Sequence, residues 1–179
     1  MKRLLRERGP GGFTLIELSM VLVILSLAIA ITVPRLEDIG EVRARGAMRR
    51  MQGLVRYLFN ESVFRKQAFL LHFDINKNEY WVETPKINGS TVENVVASDT
   101  FIDKRTSMPP GVKIIDIQSP RLGKRSDGEA VIEFFPHGYV EPATIHIEDL
   151  HKKRFTLFIN PITGDLKIMP GYIEVTRSS

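Results

Sequence analysis

Gly11-Gly12-Phe13-Thr14-Leu15-Ile16-Glu17 decides how the rest of this chain is read. It joins a short basic leader, residues 1–12, to an apolar run from Phe13 to Val33. A helix over those 21 residues is about 31 Å long, against a bilayer core of ~30 Å. One ionisable residue lies inside the run: Glu17, near its start. A carboxylate at that depth is costly unless it is neutralised or paired. The run therefore reads as a membrane helix with one polar defect.

The chain has 179 residues and no cysteine. That is room for one domain with an appendage. A disulfide framework and a thiolate metal site are both excluded. The net charge of +4 invites a nucleic-acid reading. The leader weakens it, because Lys2, Arg3, Arg6 and Arg8 against Glu7 supply most of that excess. Basic residues before an apolar helix stay cytoplasmic, so the rest of the chain is expected in the periplasm or outside. An ordinary secretory signal would have a shorter apolar core and a small-residue site after it. Ala28-Ile29-Ala30 could serve, but the glycine–phenylalanine junction accounts for more residues.

Downstream, Pro34 predicts a bend near Ile31 to Arg35, since proline removes a helical donor. An amphipathic pattern then resumes with Met48, Met51, Leu54, Val55, Leu58, Phe59 and Ser62-Val63. Spacings of three and four put these on one helix face. The opposite face carries Arg43, Arg45, Arg49, Arg50, Arg56 and Arg65. Glu37 to Arg45 shows little stripe and reads as an exposed or partner-packed neck. After Arg65 the period becomes that of strands. These are expected at Ala68–Phe73, Tyr80–Glu83, Val112–Ile117, Ala130–Phe135, Ala143–Glu148, Arg154–Ile159 and Leu166–Met169. Residues 86–111 read as a long loop with a short edge strand near Val92–Val96, and Gly171–Ser179 as a tail. The layout is 1–12 leader, 13–33 apolar helix, 34–66 amphipathic helix and 67–179 β domain. The fold class is α+β: a long N-terminal helix, transmembrane and then amphipathic, packed on an antiparallel sheet or sandwich.

Gly12-Phe13-Thr14-Leu15-Ile16-Glu17, behind a charged leader and before an apolar helix, resembles a type IV prepilin signal. Phe134-Phe135-Pro136-His137-Gly138 and Asn160-Pro161-Ile162-Thr163-Gly164-Asp165-Leu166 resemble the minor pseudopilin H class of type II secretion, related to FimT-type minor pilins. The resemblance implies a pilin-like structural subunit near a pseudopilus tip, supporting export of folded proteins. It implies cleavage by a prepilin peptidase between Gly12 and Phe13, N-methylation of Phe13, and an assembly role for Glu17 paired with the Phe13 amine of a neighbouring subunit. Its expected partners are major and minor pseudopilins, the peptidase and an inner-membrane assembly platform. Its expected location is the inner membrane, single-pass, with a periplasmic C-terminal domain. Rivals are a minor type IV pilin that initiates a pilus and a DNA-binding pilin for uptake, in which the arginine face would contact phosphates.

Enzymatic chemistry finds little support. His72, His137, His146 and His151 lack metal-ligand spacing, and no serine, histidine and acid fall together as a triad. No metal or cofactor is expected. Asp74-Ile75-Asn76-Lys77-Asn78 starts like a calcium loop, but Glu79 and Pro85 stand where glycine and an acid are needed. It reads as a hairpin turn.

Overall fold

The computed structural model describes residues 12–32, 37–88, 91–96 and 105–174. The chain divides between Asp38 and Ile39 into two compact units. Pro34 and its expected bend, most of the leader, and the end of the tail lie outside the described residues.

The first unit holds one helix, α1, Leu15–Thr32. Its start is set by Thr14, whose Oγ1 accepts the Glu17 N–H at 3.3 Å while its carbonyl accepts the Leu18 N–H at 3.1 Å. Thr14 is thus the N-cap and Glu17 the third helical residue. Phe13 and Thr14 precede the helix. The remaining 18 residues make about 27 Å, short of the ~30 Å of a bilayer core. Among the described residues no helix is long and apolar enough to cross a membrane. This corrects the expected transmembrane helix, and the single-pass inner-membrane placement and periplasmic topology that rested on it.

The second unit begins on α2, Glu37–Arg65. Its expected stripe is the core face: Met48, Met51, Val55, Leu58 and Ser62 are buried, and the line extends back to Ala44 and Ala47. The neck is therefore not free. Gly40 is buried beside the turn at Leu150-His151, and a Cβ there would stand 3.0 Å from the His151 ring. Glycine is used for close approach, which offsets its ~1 kcal/mol helix penalty.

Eleven strands follow among the described residues, all antiparallel: β1 Phe69–Asp74, β2 Glu79–Asn88, β3 Thr91–Val96, β4 Thr106–Ser107, β5 Lys113–Ser119, β6 Gly123–Arg125, β7 Glu129–Phe135, β8 Tyr139–Val140, β9 Ala143–Glu148, β10 Arg154–Ile159 and β11 Leu166–Pro170. The first sheet runs β3-β2-β1-β7-β8, with β4 also on β2. The second runs β11-β10-β9-β5-β6. The inner faces alternate as the sequence does: Phe69, Leu71 and Phe73 on β1, Ile132 and Phe134 on β7, Ile145 and Ile147 on β9, Leu157 and Ile159 on β10 are all buried with the α2 stripe in one core. Each such side chain contributes about 1.5–3 kcal/mol by leaving water. Side-chain bonds fasten the helix to both sheets. Ser62 Oγ donates to the carbonyls of Phe59 (2.8 Å) and Phe135 (3.2 Å), and Gln52 Nε2 donates to the Leu166 carbonyl (3.0 Å).

Residues 86–111 are not one loop. β2 runs past Glu83 to Asn88 and pairs with β3 from Glu83↔Val96 to Asn88↔Thr91. Polar composition hid the strand extension. Further on, Asn78 supplies a clamp. Its Nδ2 donates to the Val112 carbonyl at 2.7 Å, its Oδ1 accepts the Ile114 N–H at 2.9 Å, and its carbonyl accepts the Met108 N–H at 2.9 Å. The β1–β2 connection is a hairpin turn, as expected, closed by Asp74 Oδ1 accepting the Lys77 N–H at 2.9 Å.

Candidate functional site

At the N-terminal junction, Gly12 has open space where a Cβ would lie, and Phe13 is 81% exposed. The junction stands ahead of the first helical turn. Glu17 sits in that turn, where a carboxylate interacts favourably with the helix dipole. The Thr14-x-x-Glu17 spacing is a capping-box signature legible in the sequence. The two hydroxyls deeper in α1 are satisfied internally: Ser19 Oγ donates to the Leu15 carbonyl and Ser26 Oγ to the Val23 carbonyl, each at 2.8 Å. Apart from Glu17, every large side chain of α1 is apolar and exposed, from Leu15 at 84% to Val21 at 50%. A helix apolar on all sides requires cover from other chains or another apolar medium.

On α2, the six arginines of the expected basic face are all exposed. Two of them are paired along the helix, Arg45 with Glu41 and Arg65 with Glu61. Glu41 also reaches Lys153 Nζ at 2.9 Å, and that hydrogen bond, with Arg45, holds its carboxyl below the usual carboxylate range. Gly46 and Gly53 lie on this side with nothing within 4 Å.

The histidines are dispersed. His151 packs on Gly40. His137 sits in the β7–β8 turn beside the rings of Phe135 (5.5 Å) and Tyr139 (6.3 Å). His72 and His146 belong to buried polar clusters. His72 faces away from the core on β1, stacked on Trp81 at 5.1 Å, and the Arg105 guanidinium lies over the Trp81 ring, 3.9 Å from its centroid. Its Nε2 is 3.2 Å from Glu83 Oε2, an ion-pair distance without hydrogen-bond geometry, so both ring nitrogens are buried and unsatisfied. Burial pushes the His72 imidazole below its ordinary value, against the pull of Glu83 and Glu129.

His146 is fully buried on β9. Its Nδ1 lies 2.6 Å from Asp116 Oδ1 and its Nε2 lies 3.1 Å from the Ile173 carbonyl. A bulge in β5 between Ile114 and Asp116 makes this possible. It turns Asp116 to the outer face while Ile114 and Ile117 both stay inside, which explains the broken alternation of Ile114-Ile115-Asp116-Ile117. The dyad is not two-thirds of a hydrolytic triad, because a backbone carbonyl occupies the nitrogen that would face a nucleophile. No group of three metal-ligating side chains forms among the described residues.

A sequence profile described as the prokaryotic N-terminal methylation motif matches residues 8–33. No curated protein matches the chain significantly. Solved structures do. The minor pseudopilin EpsH from the type 2 secretion system of Vibrio cholerae is similar at 14% identity and a TM-score of 0.54, over 72% of this chain and 97% of that one. A crystal structure of the Vibrio cholerae pseudopilin gives 14% identity and 0.57, over 76% and 99%. The solution structure of E. coli GspH gives 15% identity and 0.57, over 75% and 92%. The chain has a pilin-like α+β fold of the GspH type joined to an N-terminal methylation motif.

Proposed function

We propose that this pilin-like chain is a minor pseudopilin of a type II secretion system, a structural subunit near the tip of the pseudopilus that supports export of folded proteins. The observation that carries the proposal is a methylation motif matched over residues 8–33, through a helix with no polar face, on a chain with a minor-pseudopilin-like fold. Residues 1–12 are the leader, 13–33 the assembly segment, 34–66 the amphipathic segment and 67–179 the β domain.

A prepilin peptidase cuts between Gly12 and Phe13, where the missing Cβ leaves room to approach the backbone. Phe13 then becomes the methylated amino terminus and Glu17 the fifth residue. Other pseudopilins, major and minor, cover α1 with their own apolar helices. Inside that contact an unpaired Glu17 carboxylate or Phe13 ammonium costs several kcal/mol, so the pair between neighbouring subunits selects register.

Mass spectrometry of the mature protein from a peptidase-positive host tests the first step. The expected chain starts at methylated Phe13; an intact leader refutes processing. Glu17→Ala should leave cleavage intact and reduce co-purification with the other pseudopilins. Undiminished incorporation would remove the pairing role.

A further inference from the structure

Two faces of the second unit carry charge that the rest of that unit does not answer. On α2, Gly46, Gly53, Asn60 and Phe64 fall in one line opposite the buried stripe, at spacings of seven, seven and four. Arg49 and Arg56 run along one side of that line, and Arg43 and Arg50 along the other. All four arginines are exposed, and none has an ion-pair partner among the described residues. Nothing lies within 4 Å of a Cβ built on either glycine, and Phe64 is 83% exposed. The line is a trough between arginine walls. Its glycines weaken the helix and gain nothing within this chain, but they permit a close approach from outside it.

The outer face of the first sheet is built the other way. Its register sets three rows across β2, β1 and β7: Glu83-Leu70-Glu133, Trp81-His72-Val131 and Glu79-Asp74-Glu129. Acidic rows thus flank a middle row of aromatic and apolar side chains. Lys77 pairs with Asp74, and Arg105 lies over Trp81. Glu79, Glu83, Glu129 and Glu133 have no lysine or arginine partner among the described residues. Burial pushes the His72 imidazole down, so at neutral pH it does not neutralise Glu83. The spacings agree with those of the trough. Arginines seven residues apart on a helix are separated by about 10.5 Å. Glutamates two strands apart in one row stand roughly 9.6 Å apart. The acidic rows are about 13 Å apart, close to the ~10–12 Å width of a helix.

We propose that the α2 trough of one copy of this chain docks on the outer face of the first sheet of a second copy. The arginine walls meet the acidic rows, and the glycines let the helix backbone settle over the middle row. Neither face can pair with itself. Two troughs would set arginine against arginine, and two sheet faces would set acid against acid. The contact is therefore heterologous: each copy offers its trough to one neighbour and its sheet to another, and copies add head to tail. Both faces belong to the second unit, so the contact depends neither on α1 nor on cleavage after Gly12. From Gly46 to Phe64 the trough is about 27 Å long and ~10 Å wide. That is less than the ~800 Å² per partner of a standard interface, so the contact is transient and needs covalent trapping.

Cysteine cross-linking of the full-length protein tests this, in a non-ionic detergent that covers α1. The chain has no cysteine of its own. Asn60→Cys and Val131→Cys together in one chain, treated with a short bismaleimide at low salt, should give a ladder of dimer, trimer and larger species. Either cysteine alone should give no ladder. Arg49→Glu with Arg56→Glu should reduce the ladder about tenfold, the scale of a few lost exposed ion pairs. Salt at about 1 M should do the same. Adding Glu129→Arg and Glu133→Arg to the reversed variant should restore cross-linking. Gly53→Leu, which points away from the core, should weaken it by filling the trough. A ladder that ignores charge reversal, that either single cysteine reproduces, or that fails to form at low salt overturns the proposal.

Discussion

Gly164→Ala offers the sharpest check on how the helix meets the second sheet. Gly164 closes the β10–β11 turn with φ +67, and its N–H donates to the Asn160 carbonyl at 3.0 Å. An added Cβ would lie 2.3 Å from Phe59 Cγ and 2.6 Å from both Phe59 Cβ and Cδ2. Two costs combine. Alanine in the left-handed region costs about 1–2 kcal/mol. Overpacking against a ring rooted on α2 costs about 1–3 kcal/mol, because Phe59 Cβ cannot swing away without moving the helix. The expected loss is about 3 kcal/mol, a large share of the ~5–15 kcal/mol of a typical domain. Urea unfolding followed by fluorescence of Trp81, the sole tryptophan, measures it. Phe59→Ala in the same chain removes Cγ and Cδ2 from the clash, so a double-mutant cycle should show a favourable coupling of about 1 kcal/mol or more. A loss below ~0.5 kcal/mol for Gly164→Ala would refute the close helix–turn packing.

The open glycines should behave in the opposite way: Gly46→Ala and Gly53→Ala are each expected to stabilise the isolated chain by up to ~1 kcal/mol, whereas Gly40→Ala should destabilise it through the His151 contact. Equal effects at all three sites in urea titrations would contradict that division. Asn78 adopts φ 60 and makes two side-chain bonds, so Asn78→Ala should cost about 2–3 kcal/mol and Asn78→Gly about 1 kcal/mol less; identical midpoints for the two variants would rule out backbone strain there. For His72, burial favours the neutral ring in the folded state. Its contribution is therefore complete above the unfolded value of about 6.5 and is lost as pH falls below it. Wild type should lose more stability than His72→Phe between neutral and acidic buffer. A greater acid loss in the variant would reverse the assigned sign.

Local patterns carried much of this molecule. The period of three and four from Met48 to Leu58 and the alternation of Ala143–Glu148 and Arg154–Ile159 placed α2, β9 and β10, because a half-buried element must repeat with its own geometry. The motif at Gly12 to Glu17 marked the N-terminal junction, since those side chains act on the backbone beside them. The start of α1 was also legible in Thr14-x-x-Glu17. Missing it made the helix too long and gave the chain a membrane span that the structure does not support. The edge strand expected near Val92–Val96 is β3, whereas the extension of β2 from Glu83 to Asn88 was not legible because its polar sequence lacks a hydrophobic alternation.

What only the tertiary structure decided is long-range pairing. His146 and Asp116 are 30 residues apart, and a bulge, invisible as a pattern, brings Asp116 to face the ring. Ile173 arrives from a further turn of chain. His72 meets Trp81 because β1 and β2 pair in one register, His72 opposite Trp81. Sequence alone determined which faces are apolar, through short-range periodicity. Three-dimensional packing determined which polar groups lose water together.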